Sequence, residues 1–170
     1  MNGISKLNTV EVIMAVVYVY DKNYEMESFA TIVNDTYSLY NDSQCKFCID
    51  HKNMWNKVVL NSMRELNTGF DRFYTTKAYD TMPHWHDSRE QRLIFSGKGT
   101  FVVPTPTQIV VAECSVGDLV WLDAKTIHWF YTAGEFGALR FFSNEESRVE
   151  HYNDIPDDIM KVYNMNRKAC

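Results

Sequence analysis

The chain lacks an excess of basic residues, a long apolar run, a disulfide framework and any repeat or low-complexity tract. Its 17 lysines and arginines are outnumbered by 22 aspartates and glutamates, for a formal charge of -5. The basic residues are scattered, and Lys161 with Arg167 and Lys168 makes only a thin cluster. The positive surface that nucleic-acid binding demands is therefore missing, and no nucleic-acid partner is expected. Val10 to Tyr20 is the most apolar early stretch, but it contains Glu11 and is too short to cross a bilayer. The opening MNGISKLNTV lacks the leading positive charge and unbroken apolar core of a secretory signal. A cytoplasmic protein with no membrane partner is the expectation. Cys45, Cys48, Cys114 and Cys170 do not suggest a set of bridges. Cys45 and Cys48 have CxxC spacing, yet the turn-like Asn41-Asp42-Ser43 precedes them where a redox motif needs a strand. A structural zinc there would need two further ligands, such as His51, so these cysteines read as inert thiols.

What is present is ordinary globular composition, with 45% apolar and 23% charged residues. A length of 170 residues suits a single domain, 1–170, able to bury a real core. Aromatics are abundant at 14%, mostly as core material and in part as pocket lining. The pattern changes near residue 70. Before it, Val10 to Tyr20 reads as a strand, and Tyr24, Met26, Phe29, Ile32 and Tyr37 have intervals that allow a helix within 22–40. His51 to Leu66 carries the stripe of an amphipathic helix, with a stop at Asn67 to Gly69. Residues 1–69 thus predict a strand plus a helical flank. Beyond Phe70 come short strands: Arg92–Phe95, a turn at Ser96-Gly97-Lys98-Gly99, Thr100–Val103, Gln108–Ala112, Leu119–Leu122, Ile127–Thr132 and Ala138–Phe142. Such spacing predicts a sandwich or barrel, with residues 70–143 as its core. The acidic stretch from Glu145 to Asp158 reads as solvated surface, leading into a short closing helix within 154–163.

The chemistry concentrates in Pro83-His84-Trp85-His86-Asp87-Ser88-Arg89-Glu90-Gln91-Arg92, with His128 further on. His84, His86 and Glu90 have one parity, so an extended strand directs all three to one face. Imidazole nitrogens and a carboxylate suit divalent iron, nickel, manganese or zinc, and His128 from a distant strand would complete four ligands. Arg92 has the same parity as Glu90, and Arg140 interrupts the apolar run Ala138-Leu139-Phe141-Phe142, where an unpaired cation is costly. Both read as charges near a bound substrate, or as ion-pair partners. Trp85, of odd parity, should pack away from the metal. Phe130 shares the parity of His128 and should line a pocket, with Phe101, Trp121 and Phe142 as further lining candidates. His51 and His151 read as hydrogen-bonding histidines.

His84-x-His86-x3-Glu90, then Gly97-x-Gly99, Gly117-Asp118 and His128, resembles the two metal-binding motifs of the cupin superfamily. More narrowly, residues 78 to 143 are similar to the acireductone dioxygenase family. Glu90-x-Arg92 leads into the glycine turn, and Thr126-Ile127-His128 is followed by Ala138-Leu139-Arg140. Asp123-Ala124-Lys125 departs from the family's proline-containing turn, and Ser88 and Arg89 replace residues that are often acidic there. The resemblance implies a mainly β fold, the cupin double-stranded β-helix or jelly-roll barrel, with peripheral N-terminal helices. It also implies one Fe(II) or Ni(II) per chain, and a monomer or small homo-oligomer. The implied reaction is dioxygen-dependent cleavage of an enediol, a 1,2-dihydroxy-3-keto-alkene (aci-reductone) of methionine salvage. In the family, iron directs cleavage to formate and a 2-keto acid, whereas nickel directs a cleavage that also releases carbon monoxide. The competing readings are another cupin oxygenase or isomerase, and a non-catalytic metal-dependent binding protein.

Overall fold

A computed structural model of the protein describes residues 15–32, 36–41, 44–52 and 55–169. Among these described residues, eleven strands form one curled sheet. In chain order they are β1 (Ala15–Asp21), β2 (Met26–Ile32), β3 (Thr36–Asn41), β4 (Gln44–His51), β5 (Gly69–Thr75), β6 (Tyr79–Asp80), β7 (Glu90–Pro104), β8 (Gln108–Ser115), β9 (Asp118–Leu122), β10 (Trp129–Thr132) and β11 (Phe136–Phe142). Two helices, α1 (Lys57–Leu66) and α2 (Asp157–Ala169), lie at the periphery. The fold is mainly β, and every strand pairing among the described residues is antiparallel. Val17, Phe47, Ile49, Ile94, Phe101, Val103, Val110, Ala112, Val120, Leu122, Phe130, Phe136 and Ala138 fill the hollow of the curl.

The 15-residue strand β7 organises the sheet. Its first half pairs with β9 and β11, and its second half pairs with β8 and β10. The turn expected at Ser96 to Gly99 is instead a bulge within this strand. The register against β11 shifts between Gly137 and Ala138, and Gly97 adopts φ +68°. Only a residue without a Cβ fits there, because a Cβ would lie 1.8 Å from the Glu135 carbonyl oxygen. The bulge re-aims the strand, so that one continuous segment serves both sides of the curl.

The first half of the chain departs from its expected form. The segment 22–40, whose apolar intervals allow a helix, forms strands β2 and β3. Met26 and Phe29 in β2 are exposed, so their spacing reports no buried helical face. His51 belongs to β4, and the helix begins only after Asn56, whose side chain accepts the Val58 N–H at 2.7 Å. It ends where the Asn67 N–H reaches the Met63 carbonyl. Leu60 and Met63 of α1, with Trp55, pack on Leu93, Leu119 and Phe141. Helix α2 lays Ile159, Met160, Val162 and Tyr163 against Val102, Ile109, Val111 and Trp129. One helix therefore lies in the first half and the other at the far end of the chain. Val10 to Met14, the start of the first expected strand, fall outside the described residues, as does Cys170.

No helix among the described residues is long and apolar enough to cross a membrane.

Candidate metal centre

His84 and His128 face each other across an antiparallel bridge, each backbone N–H donating to the other's carbonyl at 3.0 Å. The Lys125 N–H donates to the His86 carbonyl at 2.9 Å, so the segments 84–86 and 125–128 are joined like two short strands. The backbone then bends at Asp87 and Ser88, and Glu90 opens β7. The unbroken strand expected through residues 84–90 is therefore absent. The four side chains still converge, all of them at most 3% exposed.

Each histidine is oriented through its Nδ1. His84 reaches the Met82 carbonyl at 2.7 Å, His86 that of Val149 at 3.0 Å and His128 that of Thr126 at 3.0 Å. A carbonyl oxygen only accepts, so each Nδ1 carries the proton and each Nε2 presents a lone pair inward. The three Nε2 atoms lie within 4.8 Å of one another. Glu90 Oε2 approaches those of His128 and His86 at 3.2 and 3.4 Å. These four atoms are buried and have no hydrogen-bond partner. Unpartnered buried polar atoms are costly and rare; three clustered imidazoles, with a carboxylate oxygen beside two of them, fit a divalent transition ion. Burial and the neighbouring His128 push His84 down to about 2, which keeps it in the neutral form that a metal needs. Burial works to neutralise Glu90, but the Arg92 guanidinium beside it holds its carboxyl well below the usual range.

Arg92 Nε donates to Glu90 Oε1 at 2.5 Å, leaving Oε2 to face the histidines. Its guanidinium rests over Phe101 and Phe130, 5.2 and 5.3 Å from their ring centres. Arg140 forms a two-pronged pair with Asp71 at 2.7 and 2.6 Å, and Asp71 also accepts from Arg148 at 3.2 Å. Burial disfavours the Arg140 charge, but Asp71 more than compensates and raises its pKa. Phe142 packs on His86 with ring centres 5.0 Å apart. Phe142 thus touches a converging histidine, and Phe101 and Phe130 lie against the arginine that holds Glu90, whereas Trp121 lies elsewhere. It pairs with Gln91 in register, on the opposite face of the sheet from Glu90, beneath the Arg89 guanidinium. Side chains alternate along a strand, so position 121 cannot share the face of Leu122, the partner of Glu90.

Trp85 points outward and stacks on His151, ring centres 4.2 Å apart, while His151 Nε2 meets Asp87 at 2.7 Å. His51 lies far along the sheet, its Nδ1 2.5 Å from Asp118 Oδ1. Cys48 and Cys114 are buried free thiols, and the side chain of Cys45 lies outside the described residues. Two surface clefts, of about 790 and 550 Å³, include none of the four converging residues. The metal-facing hollow is covered instead by the segment 149–153. That cover has no signature in the sequence: it contributes the Val149 carbonyl, a backbone bridge from His151 to Trp85, and a bond from Trp85 Nε1 to the Asn153 carbonyl at 3.0 Å. Asp71, Glu150 and Tyr152 also border the site unforeseen. A carboxylate or phenol in an acidic, aromatic-rich chain carries no local pattern to single it out.

The model of the ARD/ARD' family matches residues 17–150, a span that includes all four converging residues. The chain belongs to the ARD/ARD' family. Among curated relatives, this family member is similar to "Acireductone dioxygenase 1" of Pectobacterium atrosepticum, 40% identical over 72 residues covering 41% of each chain. It is also similar to "Acireductone dioxygenase" of Parvibaculum lavamentivorans, 36% identical over 78 residues, covering 45% of this chain and 41% of the relative. The matched region thus spans about two fifths of the length of these relatives. Among solved structures, "Acireductone dioxygenase from Bacillus anthracis with cadmium ion in active center" aligns at 21% identity with a TM-score of 0.46, covering 56% of this chain and 63% of that one.

Proposed function

We propose that this ARD/ARD' family chain is a metal-dependent dioxygenase that cleaves a 1,2-dihydroxy-3-keto-alkene (aci-reductone) in methionine salvage, using one Fe(II) or Ni(II) per chain held by His84, His86, Glu90 and His128. One observation carries the reading: three histidines with Nδ1 committed to backbone carbonyls turn unpartnered Nε2 atoms toward an unpartnered carboxylate oxygen. When bound, the ion supplies Lewis acidity toward the substrate hydroxyls and a route for electrons to dioxygen.

The protein's own groups set the conditions. Arg92 holds Glu90 ionised and oriented in an apolar interior, where an unpaired carboxylate would become protonated. Arg140, anchored by Asp71, places a permanent positive charge on the same inward face, suited to an enediol that has lost a proton. Phe101, Phe130 and Phe142 exclude water around these charges, which strengthens each interaction and protects an oxygen-sensitive substrate.

Anaerobic purification with metal analysis, followed by synthetic aci-reductone and oxygen, tests the reading. Iron- and nickel-loaded protein should both consume substrate faster than buffer, with carbon monoxide from the nickel form alone. Consumption at the uncatalysed rate in both would reject the assignment. The His128→Ala protein should lose metal and activity together; stoichiometric metal in that variant would overturn the ligand set.

A further inference from the structure

Glu150 is the second carboxylate at the metal-facing hollow. Its Oε1 lies 3.9 Å from the unpartnered Nε2 of His84, while Glu90 Oε2 lies beside His86 and His128. The two carboxylates thus approach different members of the histidine triad. Glu150 differs from Glu90 in every support that makes a ligand permanent. Its side chain is 26% exposed against 1% for Glu90. No arginine holds it; its partner is the hydroxyl of Tyr152, which donates to the other carboxylate oxygen. The Tyr152 ring lies 5.9 Å from that of His84 and is itself half exposed. The segment carrying both residues is fixed on either side, by the Val149 carbonyl on His86 and by the His151 bridge to Trp85. Its main chain is therefore pinned on both sides, while the partly exposed Glu150 carboxylate is held through the Tyr152 hydroxyl.

We propose that Glu150 is a displaceable carboxylate ligand, covering the His84 side of the metal until an anionic substrate takes its place, with Tyr152 as the residue that positions it. The inference rests on the metal-centre reading above. A carboxylate there satisfies the coordination demand of a divalent ion in the resting protein. The enediolate, bearing the same charge type, replaces one anion with another, so the charge near Glu90 changes little during exchange.

Titration of metal-free protein with Co(II), followed by visible absorption, tests this without turnover. Glu150→Gln should weaken Co(II) binding on the order of tenfold and alter the Co(II) bands, because one donor is lost. Tyr152→Phe should shift both in the same direction by less. Glu146→Gln, which removes the same charge from an exposed position four residues earlier, should change neither. Wild-type protein that binds Co(II), with a Glu150→Gln variant matching it in affinity and spectrum, would overturn this inference alone. Equal weakening by Glu146→Gln would also overturn it, by reducing the effect to bulk charge. Folded wild-type protein that takes up no Co(II) would overturn the metal centre itself, and this inference with it.

Discussion

Arg92 and Arg140 stand directly opposite each other on β7 and β11, and each is neutralised by a different carboxylate, Glu90 and Asp71. Like charges facing each other across a sheet repel, and here they do so on an inward, largely apolar face. The row is tolerable because each arginine has its own carboxylate beside it. Asp71 pairs in register with Arg140, and Arg140 with Arg92; Glu90 begins the next inward position of β7. In the proposed reading the two arginines divide the work, Arg92 serving Glu90 and Arg140 meeting the substrate.

Arg92→Met should be the more damaging substitution to stability. It leaves Glu90 buried without its cation, and the unfolding free energy of metal-free protein should fall by about 3 kcal/mol. Denaturant titration measures this; a loss below about 1 kcal/mol would mean that the buried carboxyl does not depend on Arg92.

Arg140→Ala should separate binding of metal from turnover. Metal stoichiometry should match wild type, while enediol consumption should fall about a hundredfold, as expected when one donor to a developing negative charge is lost. Unchanged kinetics would remove Arg140 from the mechanism and leave it as a partner of Asp71.

Gly97→Ala should be strongly destabilising. The φ of +68° costs a residue with a side chain about 1–3 kcal/mol, and the contact with the Glu135 carbonyl adds to it. Gly134→Ala serves as the control, since nothing lies within 4 Å of a Cβ there. Comparable unfolding midpoints for the two variants would show that the bulge relaxes.

Cys114 should impose an alkaline limit on stability. Burial, then the nearby Asp118 and Glu113 charges, hold its thiol well above 9.0. Above that pH the unfolded chain releases this proton and the folded chain keeps it, so folding loses stability as pH rises, by up to about 1.4 kcal/mol per unit. The effect is absent below the ordinary thiol value. Cys114→Ala should flatten the alkaline part of the stability curve relative to wild type; parallel curves would show that the thiol contributes nothing.

The metal-facing residues are legible in the sequence for a chemical reason. Imidazoles and a carboxylate at short, even spacing carry meaning whatever backbone joins them, and the inferred strand through 84–90 is dispensable to it: the bend at Asp87 and Ser88 delivers Glu90 to the same point. Apolar spacing is a weaker signal: it finds α1 but misreads β2. Met26 and Phe29 mimic a helical stripe while sitting exposed on a strand. Trp121 looks like pocket lining by type, and only its register against Gln91 places it outside. The cover formed by 149–153 was beyond reach because its central contact is a carbonyl oxygen, identical in every residue.

That last property bears on how the centre can change over generations. The groups orienting the three imidazoles belong to Met82, Thr126 and Val149, and none of their side chains takes part. Point substitutions at these positions can accumulate without disturbing the imidazoles, as long as the main chain keeps its course. A change in chain length is another matter. Deleting one residue between Asp123 and Thr126, or between Ser147 and Val149, would carry an oxygen out of reach and free a ring to rotate. Lineages of this protein should accordingly vary in letters around the histidines while holding the gaps between them constant.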